Sequence, residues 1–377
     1  MQNKSKIKIL HIISDTNIGG AGKLLLNIAT CIDKERFDLI FAVPRNSKLR
    51  EKLNKEGRVY CYSGKGDRSC EVKSITSLCR IIKNTKPHIV HTHSSLSGRI
   101  AAIFVGIKKS RIIYTKHCVF DIPMIYRYNI CRKIYNIVDN LFAGHIIAVA
   151  ESAKKELMSR GIDPNKITVI INGSLPLKRY SKEENKEMKS RLGLSESDFV
   201  VGLVARLEDY KGHKTLIKAA KLSKDANECI KFIFMGDGSC REELMDFCKK
   251  LDVDDRIIFT GFVDNVAQYM SIFDLNINCS TGTETSCLAI SEGLSLGIPA
   301  IVSDFGGNPN MVINGITGYV FPQNNHFELY KIIKNLKNSP KITEKMGNNA
   351  KIDYQKRFSA VQMAEKYENF YINLIKG

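Results

Sequence analysis

Short runs of β-branched and other apolar residues recur along the whole chain, separated by longer stretches with helical spacing. Six runs lie in the first half and six in the second: 6–13, 38–43, 88–93, 111–115, 145–150 and 166–171, then 199–205, 231–236, 256–261, 275–279, 299–304 and 317–321. Strands that alternate with helices form parallel sheets with helices on their faces. The pattern therefore predicts an α/β protein with two Rossmann-like, doubly wound parallel-sheet domains.

The two sets of strands are separated by a segment in which Asn172-Gly173, Pro176 and a charged, polar run interrupt the pattern. A length of 377 residues also suits two domains of ordinary size. We predict an N-terminal domain over residues 1–173 and a second domain over residues 174–354, with the linker near 174–180. Residues 355–377 place apolar side chains at helical spacing, which predicts a final amphipathic helix.

The net charge of +18 lies entirely in one half of the chain. Residues 1–185 carry 33 Lys and Arg against 15 Asp and Glu, whereas residues 186–377 carry 24 of each. Such asymmetry indicates a polyanionic partner of the first domain, either an anionic membrane surface or a nucleic acid, and the alternative is a solvated basic surface. Nucleic acid is disfavoured because aromatic residues are not interleaved with the basic ones as stacking platforms.

Composition excludes several other classes of protein. No stretch approaches the roughly 20 apolar residues of a membrane-spanning helix, and the N-terminal apolar run is too short for a secretory signal. The 11 cysteines are scattered, odd in number and never spaced as C-x-x-C, so neither a disulfide framework nor a zinc site is indicated. We therefore expect a cytoplasmic protein. Segment 126–142 could contribute to peripheral membrane binding, but the helical spacing of Ile130, Ile134, Ile137 and Leu141 favours a core position for these residues.

In the first domain, glycines and histidines follow the strands. Gly19, Gly20 and Gly22 lie between the first strand and a helix, where they either let a ligand approach the backbone or form a tight turn. His91 and His93 lie on one side of a strand. Three interpretations are open: two metal ligands that lack a third nearby, a structural pair with satisfied hydrogen bonds, or histidines that contact the acceptor. His117 follows the next strand and would donate a hydrogen bond to a sugar hydroxyl or a phosphate, unless the backbone satisfies it.

In the second domain, the first strand ends in Arg206 and Lys211, five residues apart around a turn. Two cations on one turn suit a diphosphate, Arg through its planar fork and Lys as a point charge. Surface charge is the alternative. The position of the pair at the carboxyl end of a strand, where doubly wound sheets bind ligands, favours the binding site.

Glu284 and Glu292 follow the strand LNINC and lie eight residues apart. We predict a helix whose free N-terminal amides run from about Thr285 to Leu288 and bind anionic oxygens. Two helical turns would then place both carboxylates on nearly the same face, about 12 Å apart. In the alternative interpretation, Glu284 complements the helix dipole and Glu292 is solvated. The acidic triplet 252–254 lies at the amino end of a strand and is interpreted as a turn, not as a metal site.

Taken together and in order, these motifs resemble the retaining, GT-B-fold glycosyltransferases of family 4. In the first half IGGAGK, PHIVHTH, TKH and INGS resemble the family's glycine loop, strand motif, histidine loop and linker entry. In the second half ARLEDYKG resembles its R-x4-K motif, MGDG and GFVDN its nucleotide-side loops, and Glu284 with Glu292 its E-x7-E signature. The resemblance covers nearly the whole chain and implies two domains that face a central cleft, with the last helix packing back on the first.

The resemblance also implies the roles of individual residues. On the donor side Arg206 and Lys211 would bind the diphosphate, and Glu284 would hold sugar hydroxyls and Glu292 the ribose. The backbone of Ser286, Cys287 and Leu288 would contact sugar and phosphate, and Val263 would lie beside the base. On the other side His117 would contact the donor sugar near the reacting centre. Gly19 and Gly20 would leave room for the phosphates and the acceptor, and His93 would contact the acceptor.

Some positions depart from the family pattern. Glu284 is followed by Thr-Ser-Cys in place of the frequent Phe-Gly-Leu, Glu292 is followed by glycine, and Asn310 stands where GG-x-P-E has its glutamate. Backbone contacts tolerate such changes, whereas the donor preference depends on side chains. The sequence therefore does not specify which sugar is transferred.

The resemblance implies a retaining hexosyl- or N-acetylhexosaminyltransferase, which we expect to be metal-independent and to need no cofactor. The expected donor is a nucleotide sugar, most simply a UDP-sugar, and the expected acceptor a lipid-linked saccharide of surface glycan synthesis. Two alternatives stay open at this point: a sugar-nucleotide epimerase on the same fold, and a non-catalytic binding subunit.

Overall fold

The computed structural model describes residues 6–64, 70–117, 137 and 141–376, which form two compact units. The first unit comprises Met1–Ser174 together with Ala360–Gly377, and the second comprises Leu175–Ser359. The sequence placed the first boundary at residue 173 and the return to the first domain at residue 355. Each unit has its own sheet and its own buried apolar core.

The first unit is built on a seven-stranded parallel sheet with the order β3-β2-β1-β4-β5-β6-β7. Its strands are β1 Ile7–Ile13, β2 Phe37–Pro44, β3 Arg58–Tyr62, β4 Ile89–His93, β5 Ile112–Lys116, β6 His145–Ala148 and β7 Ile167–Val169. Six of them were predicted. The sequence missed β3, a short edge strand in which only Tyr62 is fully buried, so that it carries little of the apolar pattern of a central strand.

The second unit contains a six-stranded parallel sheet with the order β10-β9-β8-β11-β12-β13. Its strands are β8 Phe199–Val204, β9 Ile230–Met235, β10 Ile257–Gly261, β11 Leu275–Asn278, β12 Ala300–Ser303 and β13 Gly318–Phe321. All six were predicted. Their runs are apolar because helices cover the sheet on both sides, with two separate apolar clusters packed against it.

Helices connect the strands and cover the sheets. In the first unit they are α1 Gly20–Cys31, α2 Arg50–Leu53, α3 Val72–Thr85, α4 Leu96–Phe104 and α5 Glu151–Ser159. In the second they are α6 Lys182–Arg191, α7 His213–Asp225, α8 Arg241–Lys250, α9 Val266–Met270, α10 Leu288–Leu296, α11 His326–Lys337 and α12 Pro340–Asp353, and α13 Ala360–Lys376 returns to the first unit. Among the described helices, none is both long and apolar enough to span a bilayer.

Both sheets reverse their strand order next to their first strand. In the first sheet β2 lies on one side of β1 and β4 on the other, and in the second β9 and β11 flank β8 in the same way. Connections from the central strands leave in opposite directions at such a point, so their loops open a crevice at the carboxyl edge of the sheet. The loops after β8 and β11 contain the predicted donor-binding residues.

The C-terminal helix begins later than predicted. Tyr354–Phe358 form a π-helical turn that still belongs to the second unit, where Arg357 donates to the backbone oxygen of Asn310 at 2.9 Å. The extended residue Ser359 ends this turn, and the amide of Ala360 donates to Ser174 at 2.9 Å. The predicted start at residue 355 is therefore wrong, because apolar spacing continues through a turn whose contacts lie in the other unit.

Helix α13 completes the core of the first unit. Met363, Tyr367 and Tyr371 are buried on its inner face and belong to the same apolar cluster as β1 and α1. Tyr367 and Tyr371 are the two largest fully buried side chains of the described residues. The first unit therefore depends on a helix that follows the entire second unit in sequence.

We expect Tyr367→Ala to lower the free energy of unfolding by about 3–5 kcal/mol, because it empties the space of a buried aromatic ring. Urea unfolding measures the loss. Val361→Ala on the exposed side of the same helix is the control and should change the stability by less than about 0.5 kcal/mol. Equal stability of the two variants would contradict the placement of α13.

Candidate functional site

The loops after β8 and β11 lie in contact at the switch point of the second sheet. The amide of Thr281 donates to the backbone oxygen of Tyr210 at 2.8 Å. Gly212 ends the first loop with a φ of 70°, and a Cβ atom there would lie 2.1 Å from the backbone oxygen of Cys279. Glycine at position 212 therefore allows the close approach of the two loops, which brings the side chain before it to the second loop.

Lys211 and Glu284 form a largely buried ion pair between these loops. The Nζ atom of Lys211 lies 2.6 Å from Oε2 of Glu284, and the two side chains are 15% and 9% exposed. Burial opposes the charged form of Lys211, but attraction to the Glu284 carboxylate and to its other neighbours outweighs it, so the pKa of Lys211 lies above its ordinary value. The site therefore keeps a fixed ammonium group and its carboxylate partner.

The carboxylate of Glu284 is held mainly through one of its oxygens. Besides Lys211, Oε2 accepts from Ser280 Oγ at 3.2 Å and from Asn278 Nδ2 at 3.3 Å. Within the described part of the chain, no residue donates to Oε1 of Glu284. Three donors on Oε2 fix the orientation of the carboxylate and leave its second oxygen able to accept a hydrogen bond from a ligand.

Arg206 lies on the same loop as Lys211 but is exposed. Its Nη2 donates to the hydroxyl of Tyr210 at 2.5 Å. One bond of this kind leaves other N–H groups of the guanidinium available, because the group has five. The predicted pair of cations is thus present as one exposed, lightly held guanidinium and one buried ammonium.

The helix after Glu284 starts later than predicted, at Leu288. The loop before it is not helical because it packs against the glycines that follow β12. The amide of Gly307 donates to the backbone oxygen of Glu284 at 3.1 Å, and a Cβ at position 307 would lie 1.7 Å from the oxygen of Thr285. Glu284 therefore precedes the helix by four residues, and the two-turn spacing of its carboxylate from that of Glu292 does not hold.

The N-terminus of α10 lies close to the ion pair in sequence. Its first amides have no partners within the helix, and among the described residues only the amide of Ile290 faces a side chain of the cap, the Cys287 thiol. The amide of Ser291 donates to the backbone oxygen of Cys287, the residue before the helix, at 3.3 Å. The predicted amides at Ser286 and Cys287 belong to the loop, whereas Leu288 is the first helical residue.

Several alternatives are settled by burial. Counted over the whole residue, Glu292 is only 8% exposed, so the solvated interpretation of Glu292 is wrong. Burial and the nearby Glu284 raise the pKa of the Cys287 thiol to about 12, so this cysteine stays protonated and is a poor nucleophile. Val263 is partly exposed and packs against the apolar cluster on one side of the sheet.

In the first unit, Gly19 and Gly20 begin helix α1. Gly19 is its N-cap. Because its φ of −88° is accessible to any residue, the backbone conformation at position 19 does not require glycine. A Cβ at either position would have no atom within 4 Å. Among the described residues, nothing in the packing requires these two glycines, and no side chain caps the helix that follows them.

His93 and His117 lie in a cluster of histidines that the sequence only partly predicted. Nδ1 of His93 is 3.2 Å from Nε2 of His117. The partner of Nε2 of His117 is therefore a side chain and not the backbone. On its other side, His93 Nε2 is 3.1 Å from Nδ1 of His11. His91 contacts Tyr371 Oη and Thr115 Oγ1, each at 2.6 Å.

A third histidine close enough to be a candidate ligand is therefore present, contrary to the expectation. Nitrogens of His11, His91 and His93 lie within 4.8 Å of one another. However, both nitrogens of His91 have partners, and the His91 and His93 rings stack with centroids 4.4 Å apart and 30° between planes. Stacked rings direct their lone pairs side by side, whereas a metal needs them to converge. The cluster fits a hydrogen-bonded network better than a metal centre.

Three contributors to these sites were missed from the sequence. His11 stands inside the apolar run of β1, and Asn278 and Ser280 stand at the end of β11. A usable signal existed for the last two, because polar residues at the carboxyl end of a strand beside the switch point are expected to line a site. His11 had no such signal, since its neighbours follow from the pairing of β1 with β4, which are distant in sequence.

Two family models match the chain, one in each unit. Residues 18–174 match the model described as Glycosyltransferase Family 4, and residues 184–353 match that of Glycosyl transferases group 1. Together with the two Rossmann-like sheets and the site after β8 and β11, they define the class of protein. The chain belongs to the GT-B glycosyltransferases of family 4.

Individual relatives span nearly the same length. The UDP-Gal:alpha-D-GlcNAc-diphosphoundecaprenol alpha-1,3-galactosyltransferase of Escherichia coli is 26% identical, covering 98% of this chain and 98% of its own. The alpha-monoglucosyldiacylglycerol synthase of Acholeplasma laidlawii is 28% identical over 78% of each chain. The crystal structure of Anabaena HepE in complex with UDP-glucose has a TM-score of 0.83 at 21% identity, covering 97% of this chain and 100% of its own.

The buried histidines predict a loss of stability in mild acid. Burial lowers the pKa of His11 to about 3, so the native state stays neutral while the unfolded state takes up protons below about pH 6.5. Stability must therefore fall as pH decreases from 6.5 towards 4, by up to about 1.4 kcal/mol per pH unit for each such histidine.

Urea unfolding at pH 6.5 and 5.0 measures this loss. We expect His11→Asn to reduce the difference between the two pH values by about 2 kcal/mol, because one proton uptake is removed. His326→Asn, at a partly exposed position, is the matched control and should reduce it much less. A pH dependence that is the same in both variants would contradict a neutral, buried His11.

Proposed function

We propose that this glycosyltransferase moves a sugar from a UDP-sugar to a lipid-linked saccharide, with retention of anomeric configuration and without a bound metal. The observation that carries the proposal is the junction of the β8 and β11 loops, where Arg206, Lys211 and Glu284 lie together before an uncapped helix. This arrangement suits a diphosphate attached to a sugar.

Leaving-group stabilisation would come from positive groups, of which Lys211 is held by its ion pair before the reaction and Arg206 is exposed. Lys211 supplies a buried ammonium, and Arg206 supplies a guanidinium that can bind two phosphate oxygens at once. The first amides of α10 and its dipole add positive potential close in sequence. Groups held in place before the reaction stabilise developing charge without reorganising, and in many enzymes this supplies most of the rate enhancement.

The sugar and the nucleoside would use the remaining groups. Oε1 of Glu284 would accept from a sugar hydroxyl; the three donors that already hold Oε2 support this assignment. Glu292 is assigned to the ribose, Val263 to the base, and the backbone of Ser286, Cys287 and Leu288 to sugar and phosphate. His117 and His93, with Gly19 and Gly20, are assigned to the reacting sugar and the acceptor.

In the proposed reaction the acceptor hydroxyl attacks the anomeric carbon on the face of the leaving group. The bond between that carbon and the β-phosphate oxygen breaks, and the new glycosidic bond forms on the same side. The acceptor hydroxyl loses its proton to the departing phosphate oxygen, so the products are the glycoside and UDP. Positioning and electrostatic stabilisation would supply the catalysis.

The proposed substrates rest on the relatives. HepE was crystallised with UDP-glucose, and the E. coli relative uses UDP-Gal and a diphosphoundecaprenol-linked acceptor. The Acholeplasma relative is named for a glucosyldiacylglycerol. The names of two of these relatives thus include a UDP-sugar, and the names of two include a lipid. The excess positive charge of residues 1–185 suits a lipid-linked acceptor at an anionic membrane.

A lipid-linked acceptor requires access to a membrane surface. All the excess positive charge of the chain lies in residues 1–185. Segment 126–142 lies outside the described residues except for residues 137, 141 and 142. Its Ile137 and Leu141 are 58% and 55% exposed, so the interpretation of these two as core residues is wrong. Basic charge with exposed apolar side chains suits the cytoplasmic face of an anionic membrane.

We expect Lys211→Met to lower kcat/KM by about 100- to 1000-fold, because one fixed donor to the leaving group is lost. Release of UDP in the presence of acceptor measures turnover. Lys214→Met is the matched control, since Lys214 lies one turn away and pairs with Asp209 and Glu243 on the surface. Full activity of Lys211→Met would rule out the site assignment, and abolition by EDTA would rule out metal independence.

The donor incubated without acceptor distinguishes a transferase from an epimerase. The transferase is expected to leave the sugar nucleotide unchanged apart from slow hydrolysis, and chromatography of the nucleotide sugars reports this. A new sugar still attached to UDP would establish epimerisation instead.

Membrane binding is expected to need anionic lipid. Sedimentation with phosphatidylglycerol vesicles should retain the protein at low salt and release most of it at about 0.5 M salt, because screening weakens surface charge attraction. The double variant Ile137→Ser, Leu141→Ser should bind less, and Ile342→Ser, equally exposed in the second unit, should bind normally. Equal binding to neutral phosphatidylcholine vesicles would contradict the proposal.

A further inference from the structure

His11, His93 and His117 form a diagonal line across the first sheet. His11 on β1 lies opposite His91 on β4, while His93 lies two residues further along β4 and opposite Thr115 on β5. His117 follows two residues after Thr115. Side chains two residues apart share a face of the sheet, so each step moves one strand across and two residues towards the carboxyl edge. The line starts inside the core and ends at the loop after β5.

The line is a continuous chain of hydrogen bonds. Nδ1 of His11 lies 3.1 Å from Nε2 of His93, and Nδ1 of His93 lies 3.2 Å from Nε2 of His117. All three rings are neutral near pH 7, because burial lowers the pKa of His11 to about 3, that of His93 well below its usual range, and that of His117 to about 4. Each ring therefore carries one N–H group and one bare nitrogen.

Two rings that share a hydrogen bond need one donor and one acceptor, so the tautomers of the three rings depend on one another. In one arrangement every Nδ1 carries the proton and every Nε2 accepts. In the other, every Nε2 carries the proton, and the chain runs in the opposite direction. A mixed arrangement would place two protons or two lone pairs against each other.

The buried end of the chain favours the first arrangement. Nε2 of His11 is fully buried and has no hydrogen-bond partner among the described residues. It lies in a ring that stacks on Phe41 with centroids 5.7 Å apart. The opposite direction would leave an N–H group orphaned at this position, and buried orphaned N–H groups are rarer than buried unsatisfied acceptors. A bare Nε2 on His11 fixes Nδ1 as its donor.

We propose that His11 and His93 are positioning residues that hold His117 as its Nδ1–H tautomer, with Nε2 occupied by His93 and Nδ1–H left as the donor. The proposal rests on the proposed role of His117 and deepens it. The ring can then donate a hydrogen bond to a sugar hydroxyl or to the leaving oxygen, and it does not act as a base towards them. His11, inside the core, thereby determines which nitrogen of His117 donates at the carboxyl edge of the sheet.

Nitrogen NMR of the ¹⁵N-histidine-labelled full chain tests the proposal without requiring turnover. Long-range ¹H–¹⁵N correlations distinguish a protonated from a bare ring nitrogen at each histidine, and single-histidine variants assign the signals. Near neutral pH we expect the Nδ1–H form at His11, His93 and His117. The Nε2–H form at His117 would overturn the proposal.

Two variants then test the dependence of His117 on His11. His11→Leu removes the donor at the buried end, so His117 should shift towards the Nε2–H form and kcat should fall about tenfold, the worth of one neutral hydrogen bond. The affinity for UDP should stay unchanged. His91→Leu is the control, because His91 stacks on His93 but hydrogen-bonds elsewhere. An unchanged His117 signal in His11→Leu would contradict the proposed dependence of the His117 tautomer on His11.

The outcome can be separated from that of the proposed function. Nδ1–H at His117 together with full activity of Lys211→Met would uphold the histidine chain and reject the donor site. Nε2–H at His117 together with inactive Lys211→Met would reject the histidine chain and uphold the donor site.

Discussion

The ion pair between Lys211 and Glu284 is the contact on which the donor site depends. Each charge alone would be costly at this degree of burial, whereas together, with Asn278 and Ser280 donating to the same oxygen, they are stable. The pair joins the loops after β8 and β11. Removal of one partner would leave an uncompensated charge between two loops that the backbone bond from Thr281 to Tyr210 still joins.

The sheet topology explains why this pair can form. Strands β8 and β11 are neighbours in the second sheet although about 70 residues separate them in the chain. Their loops leave at the same edge, and Gly212 removes the side chain that would keep the two loops apart. A cationic loop and an acidic loop thus meet beside the start of α10, and the proposed binding of a sugar diphosphate by this family 4 glycosyltransferase rests on that meeting.

Much of this could be predicted from the sequence. Twelve apolar runs identified all but one of the strands, and the position of Arg206, Lys211 and Glu284 after strands identified the loops that meet. The start of α10 could not be predicted, because it depends on the contact of Gly307 with Thr285, which lie far apart in the chain. The return to the first unit at Ala360 likewise depends on its bond to Ser174, and not on local apolar spacing.

The histidine chain shows the same limit. Period-two spacing placed His91 and His93 on one face, but His11 joins them only because β1 pairs with β4. A polar residue within an apolar run gives no indication of its partners until the strand order is known. The histidines that contact one another therefore depend on which distant strands pair, and for this reason the sequence did not reveal His11 as the third member.

The central claim is that the junction of the β8 and β11 loops binds the diphosphate of the donor. Isothermal titration of the wild-type chain and of Arg206→Ala with UDP and with uridine tests it directly. We predict that Arg206→Ala weakens UDP binding at least about tenfold and leaves uridine binding unchanged, because in the proposed site the guanidinium would contact the phosphates and not the nucleoside. An equal loss for both ligands, or no loss for UDP, would contradict it.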